Sequence, residues 1–151
     1  MKYLDQTVCE ALRKWPPVPM TDRLCVKDYD LKLDGKNLHI NANDSCYIPI
    51  WSFHRDLKYF PNPEKFEPER FSEENRGNID PDTYLPFGVG PRNCIGSRFA
   101  LMEMKTFFYY LLLNFSFEAN SKTQIPLEFD NIPFDIKTKI GIWLSLKPRN
   151  N

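Results

Sequence analysis

The chain is expected to be mainly α-helical with small β-sheets, and three observations lead to that fold class. Two segments, residues 1 to about 15 and 97 to about 113, repeat apolar residues at three- and four-residue spacing, the mark of helices that pack on one face. Short β-patterned runs separated by turn residues lie between and after them. Residues 61–86 carry prolines at irregular intervals and no periodicity, so they connect rather than form an element. The length of 151 residues is that of one domain, and 42% hydrophobic with 15% aromatic residues can build a core.

The first helix places Tyr3, Leu4, Val8, Ala11, Leu12 and Trp15 on one side, and Pro16-Pro17 stop it. Glu10 and Arg13 sit three apart on its surface, which by itself describes an ordinary solvated pair contributing roughly 0.2–0.5 kcal/mol. Residues 16–19 run extended because each proline disfavours helix in the residue before it. Short strands follow at residues 24–26, 29–33, 38–40 and 46–50, with Asp34-Gly35 and residues 41–44 as turns, and these are expected to form one small mixed sheet. A short helix spans residues 51–60, and the irregular connection over 61–86 is of a length that is usually functional or tightly tied down. The second long helix carries Phe99, Leu101, Met102, Met104, Phe107, Phe108 and Leu111 around much of its girth, which predicts burial. Phe115 and Phe117, residues 125–129, and the alternation of Ile140, Ile142, Leu144 and Leu146 predict a closing β-hairpin.

Composition removes several function classes. Twenty basic and twenty acidic residues leave no net charge, so there is no nucleic-acid footprint and no polybasic membrane patch. Cys9, Cys25, Cys46 and Cys94 contain no C-x-x-C pair and are accompanied only by His39 and His54, a poor set for zinc. The core needs no disulfide staples and no signal peptide opens the chain, so the cysteines are expected to be reduced. The triplets starting at Asn43 and Asn114 match the glycosylation sequon, a frequent coincidence. The longest wholly apolar or aromatic run, residues 107–113, is far short of the roughly 20 residues needed to span a bilayer.

Residues 87–96 read Phe-Gly-Val-Gly-Pro-Arg-Asn-Cys-Ile-Gly. Gly88 and Gly90 can take positive φ, Pro91 stiffens the turn, and Gly96 leaves the backbone open to a flat ligand. The loop delivers Cys94 to the start of the second long helix, where exposed N–H groups and the positive helix end favour an anionic sulfur. Arg92 offers a planar fork suited to a carboxylate nearby. A glycine-rich turn with a structural cysteine is the plain alternative. The whole pattern, Phe-x-x-Gly-x-Arg-x-Cys-x-Gly from Phe87 to Gly96, resembles the haem-binding signature of the cytochrome P450 family. Glu10-x-x-Arg13 before an aromatic and prolines resembles that family's penultimate core helix, and Pro68-Glu69-Arg70-Phe71 its second arginine motif.

The resemblance covers nearly the whole chain and implies the C-terminal haem-thiolate portion of one cytochrome P450 domain, starting inside a core helix and without the N-terminal anchor and distal helices. It implies haem b with Cys94 as axial thiolate, metal ligand and catalytic residue. Arg92 and Arg23 would bind the propionates, with Phe87, Gly88 and Gly96 against the ring. Glu10, Arg13 and Arg70 would form a buried ion network behind the loop, and His54 would serve packing and hydrogen bonding away from the iron. Val18, Met20, Thr21, Ile132 and Phe134 would line the substrate pocket. Arg98 and Lys105 could face a redox partner or simply solvent. The activity implied is monooxygenation of small lipophilic substrates at the cytosolic face of the endoplasmic reticulum, with electrons from NADPH through a flavoprotein reductase, as in microsomal insect and vertebrate members that oxidise xenobiotics. The chain alone is not expected to turn over substrate. Two other readings stay open: a non-catalytic haem-binding or decoy fragment, and a redox-active cysteine domain without haem.

Overall fold

Helix α1, Lys2–Lys14, sits against the irregular stretch that the prolines punctuate, and this contact makes the core. The computed structural model describes residues 1–131 and 135–149; Ile132 and Phe134, assigned to a substrate pocket, lie outside them. The inner face of α1 buries Val8, Cys9, Glu10, Leu12 and Arg13. Against it lie Phe60, Phe71, Leu85 and the 3₁₀ turn Pro68–Phe71. Trp15 ends the helix by donating its N–H to the Ala11 carbonyl at 2.8 Å, and Pro16 and Pro17 have no N–H with which to continue it.

Four short strands follow: β1 (Thr21–Leu24), β2 (Tyr29–Leu33), β3 (Lys36–Ile40) and β4 (Ser45–Ile48). They do not form the single mixed sheet that the sequence predicts. β1 pairs with β4 and β2 with β3, each as a separate antiparallel two-stranded sheet. The reason lies at the junction. The Cys25 N–H binds the Asp44 carbonyl and the Asn43 N–H the Cys25 carbonyl, while the Asp28 carboxylate takes the Ala42 N–H. These bonds close the β1–β4 ladder and turn the β2–β3 hairpin out of it. Asp34 and Gly35 join β2 to β3 with φ of 48° and 75°, the two left-handed residues of a type I′ turn.

Helix α2 covers only Ile50–Phe53 rather than residues 51–60. The Asp56 carboxylate accepts the Lys58 N–H at 2.8 Å, a local bond that competes with helix continuation. The long stretch predicted as irregular is so, with single 3₁₀ turns at Pro68–Phe71 and Arg76–Asn78.

Helix α3, Ser97–Asn114, matches the predicted span but not the predicted burial, because none of its residues is buried. Phe99, Met102, Phe107 and Tyr110 are each more than half exposed. Among the described residues its main contacts are with α1 and with the strand that follows, so an all-round apolar helix keeps much of its girth uncovered. Strand β5, Phe115–Glu118, pairs antiparallel with β6, Ser145–Pro148. The alternating stretch from Ile140 to Leu144 is not a strand. Gly141 takes φ of 79° and the Trp143 Nε1 donates back to the Ile140 carbonyl at 2.8 Å, which folds the segment into a turn. Among the described residues, 125–129 likewise supply a single bridge, Phe129 to Thr138. Among the described residues no helix is long and apolar enough to cross a membrane.

Phe60 is 1% exposed in the middle of this core. Phe60→Ala is expected to cost about 3–5 kcal/mol in chemical denaturation. Ile95→Ala, at a fully exposed loop position, should change stability by less than about 0.5 kcal/mol.

Candidate functional site

Two buried features meet at α1, and one of them reaches the stem of the cysteine loop at Leu85. The first is ionic. Arg13 Nε and Nη2 donate to the two Glu10 carboxylate oxygens at 2.7 and 2.8 Å, and both side chains are fully buried. Arg13 spends its other donors on the carbonyls of His54 at 2.7 Å and Pro63 at 2.8 Å. Glu10 also accepts the Glu67 N–H at 2.9 Å, a tie to the irregular stretch with no signature in the sequence. Arg70 joins more loosely, its Nε standing 3.6 Å from Glu10 Oε1 without a hydrogen bond while its Nη2 reaches the Asn62 carbonyl and Glu67. The geometry is the bidentate one only a planar guanidinium can make.

The second feature is His54, which has no solvent exposure. Its Nδ1 lies 2.9 Å from the Arg13 carbonyl and its Nε2 2.8 Å from the Leu85 nitrogen. A carbonyl only accepts and an amide N–H only donates, so Nδ1 carries the proton and Nε2 the lone pair. Burial is the main force pushing the pKa of His54 down to about 4, and the charges of Arg13 and Arg55 push the same way. The ring is therefore neutral near pH 7, with both nitrogens occupied by backbone partners.

From Leu85 the chain enters the loop. The Gly88 N–H binds the Leu85 carbonyl at 3.1 Å, and the Cys94 N–H closes the loop on the Phe87 carbonyl at 2.8 Å. Gly88 and Gly90 have φ of 74° and 75°, the left-handed region in which a side chain is strained. A 3₁₀ turn at Gly90–Arg92 leads to Cys94, which is exposed two residues before Gly96 caps α3. A Cβ on Gly96 would stand 3.9 Å from the Cys94 sulfur.

Cys94 opens on a cavity of about 340 Å³ that it shares with Pro17, Val18, Thr21, Arg23, Ile50, Pro86, Phe87, Gly88 and Arg92. Residues far apart in sequence thus meet at one sulfur. The lining is apolar apart from the thiol, one hydroxyl and two guanidinium groups. Arg92 has no hydrogen bond or ion pair among the described residues, whereas Arg23 Nη1 is partly committed to the Asp22 carbonyl at 2.6 Å and Thr21 Oγ1 at 3.2 Å. A sulfur donor, apolar walls and two cations suit a flat apolar ligand that carries carboxylates and a thiolate-seeking metal.

Val18, Thr21, Arg23, Phe87, Gly88, Arg92 and Cys94 thus line one cavity, whereas Gly96 does not line it. Nor does Met20, which faces a separate hollow with Thr21, Asp22 and Tyr47. Lys105 is tied to Asp5 at 2.7 Å, while Arg98 is exposed. The structure adds Pro17, Ile50 and Pro86 to the lining. Pro17 and Pro86 adjoin residues already singled out, and that adjacency was their only signal.

The profile of the family described as cytochrome P450 matches residues 1–140. The chain is 52% identical to cytochrome P450 9e2 of Blattella germanica over 151 residues, covering 100% of this chain and 28% of that protein. It is 51% identical to probable cytochrome P450 9f2 of Drosophila melanogaster over 150 residues, 99% of this chain and 29% of the relative. Cytochrome P450 6j1 of Blattella germanica is 47% identical over 151 residues, with 100% and 30% covered. The chain spans less than a third of the length of these curated relatives.

Arg13→Ala would leave the buried Glu10 carboxylate without its bidentate partner, with only the Glu67 N–H and the looser Arg70 beside it among the described residues, and a loss of about 3–5 kcal/mol is expected in urea denaturation. Arg13→Lys should recover only part of it, since an ammonium cannot reproduce the fork. For His54, unfolding restores the ordinary value of 6.5 against about 4 in the fold, so the unfolded chain binds more protons in that window. The stabilisation is complete above about pH 6.5, declines as pH falls and is gone near pH 4, a contribution of about 3 kcal/mol. The stability of the wild type relative to His54→Gln should therefore fall by about 3 kcal/mol from pH 7 to pH 4 in denaturant titrations; a relative stability that does not change with pH would show that His54 titrates normally.

Proposed function

The chain belongs to the cytochrome P450 family, and from that membership we propose that it is the haem-thiolate portion of a monooxygenase, with Cys94 as the axial ligand. The observation that carries this reading is the shared cavity. An exposed cysteine, a guanidinium with no side-chain partner among the described residues and apolar walls converge there from α1's exit, the β1 strand and the cysteine loop. In this proposal Cys94 supplies the thiolate and Arg92 and Arg23 pair with the propionates. Phe87 and Gly88 lie against the ring, while Gly96 keeps the approach to the sulfur free of a side chain. Bound there, haem would supply the activation of O₂, one oxygen atom entering a C–H bond of the substrate and the other taking up two electrons and two protons to leave as water.

The remaining contributions fall to the polypeptide. The Cys94 N–H bond to the Phe87 carbonyl and the two left-handed glycines hold the sulfur in one direction. The apolar lining excludes water from one side of the cavity, and Val18 and Thr21, at its rim, are proposed to touch small lipophilic substrates. Electrons are proposed to come from NADPH through a flavoprotein reductase at the endoplasmic reticulum membrane, with exposed Arg98 on the surface that such a partner would meet. The chain spans 28% of the length of its Blattella germanica relative, and this stretch by itself is proposed not to turn over substrate.

Haem reconstitution tests the assignment. Reduced and exposed to carbon monoxide, the wild-type chain should show the strongly red-shifted Soret band of thiolate ligation, and Cys94→Ser should abolish it. Arg92→Ala should leave the band position unchanged but weaken haem retention about tenfold, as expected for loss of one charge-assisted pair. A Cys94→Ser chain that keeps the band would remove Cys94 as the ligand.

A further inference from the structure

We propose that His54 is a positioning residue for the cysteine loop, carrying the placement of the buried Glu10–Arg13 pair to the backbone that holds the Cys94 sulfur. The geometry is a reciprocal clamp followed by a relay. Arg13 Nη1 donates to the His54 carbonyl at 2.7 Å while His54 Nδ1 donates to the Arg13 carbonyl at 2.9 Å. With that proton committed, Nε2 accepts the Leu85 N–H at 2.8 Å, three residues before the first left-handed glycine of the loop. Leu85 returns its carbonyl to Gly88, and neighbouring Phe87 holds the Cys94 N–H.

Packing makes the ring a fixed strut. Tyr84 stacks on it with centroids 5.5 Å apart and anchors its own hydroxyl on the Cys9 carbonyl of α1, and Phe60 meets its edge at 6.0 Å. Burial that keeps the imidazole neutral serves the same end, since a proton on Nε2 would oppose the Leu85 N–H donor to donor. The two ring nitrogens bond backbone groups of two different segments, Arg13 at the end of α1 and Leu85 at the stem of the loop, so the ring ties one to the other. The consequence for the cofactor rests on the haem-thiolate reading, whereas the relay itself rests on the geometry alone.

Two variants separate positioning from filling. In His54→Gln the amide oxygen can occupy the place of Nε2 and accept the Leu85 N–H; in His54→Asn the shorter side chain can serve Arg13 but not reach Leu85. Amide hydrogen exchange on the 151-residue chain without haem is the first readout. The Asn variant should exchange at both Leu85 and Cys94 about tenfold faster than wild type, with Val8 and Leu12 of α1 unchanged, and the Gln variant should stay near wild type. Equal exchange at Cys94 in the two variants, or acceleration at Val8 and Leu12 as large as at Cys94, would overturn the proposal. With haem, reductant and carbon monoxide added, the Gln variant should keep the red-shifted Soret band and the Asn variant lose much of it. A wild-type chain without that band counts against Cys94 as ligand, and the exchange measurements still decide the role of His54.

Discussion

A carboxylate and a guanidinium sealed from water inside the α1 contact are the constraint from which the rest of the arrangement follows. Glu10 and Arg13 stand 2.7 Å apart with no exposure, and removing two ions from water is so costly that such a pair adds little net stability by itself. What it does is exclude alternatives. Every register of α1 that fails to present both groups to each other and to the surrounding carbonyls leaves a bare charge in the interior. The carbonyls of His54 and Pro63 and the N–H of Glu67 are drawn to fixed places because the pair requires them. An irregular stretch with no ladder of its own thereby acquires a defined path.

The cysteine loop inherits that definition. Its stem at Leu85 is nearly fully buried, and its turn is set by two glycines whose φ values a side chain would strain. The sulfur at the end is exposed, which separates the two demands on the region: rigidity comes from the buried stem and reactivity from the open tip. Arg92 and Arg23 approach the same cavity from different elements, and only the β1–β4 ladder and the loop together bring them to one side of the sulfur.

Most of the site was legible because its demands are local. Phe87 to Gly96 form a contiguous turn, and glycine, proline and cysteine each act through their own backbone or atom. The Glu10–Arg13 spacing was legible as a pair, but its burial was not, since helix periodicity reports which residues share a face and not what covers it. The same limit accounts for α3, where Phe99, Met102 and Phe107 read as core but meet few partners within this chain. Strand pairing was lost at Cys25 and Asp28, whose bonds to Asn43, Asp44 and Ala42 are long-range and leave no periodic trace. Gly141 was the visible signal against a continuous strand from Ile140 to Leu146, outweighed in reading by the alternation around it.

The β2–β3 hairpin stands apart from this interdependence. Its strands make their extensive contacts with each other alone, and the Asp28 carboxylate on the Ala42 N–H latches its base. A Cβ added at Gly35 would meet no atom within 4 Å, yet the positive φ of Asp34 and Gly35 still restricts which residues suit the tip. The hairpin's exposed side chains, rather than its turn, are where substitutions leave the residues of the α1 contact bound to one another.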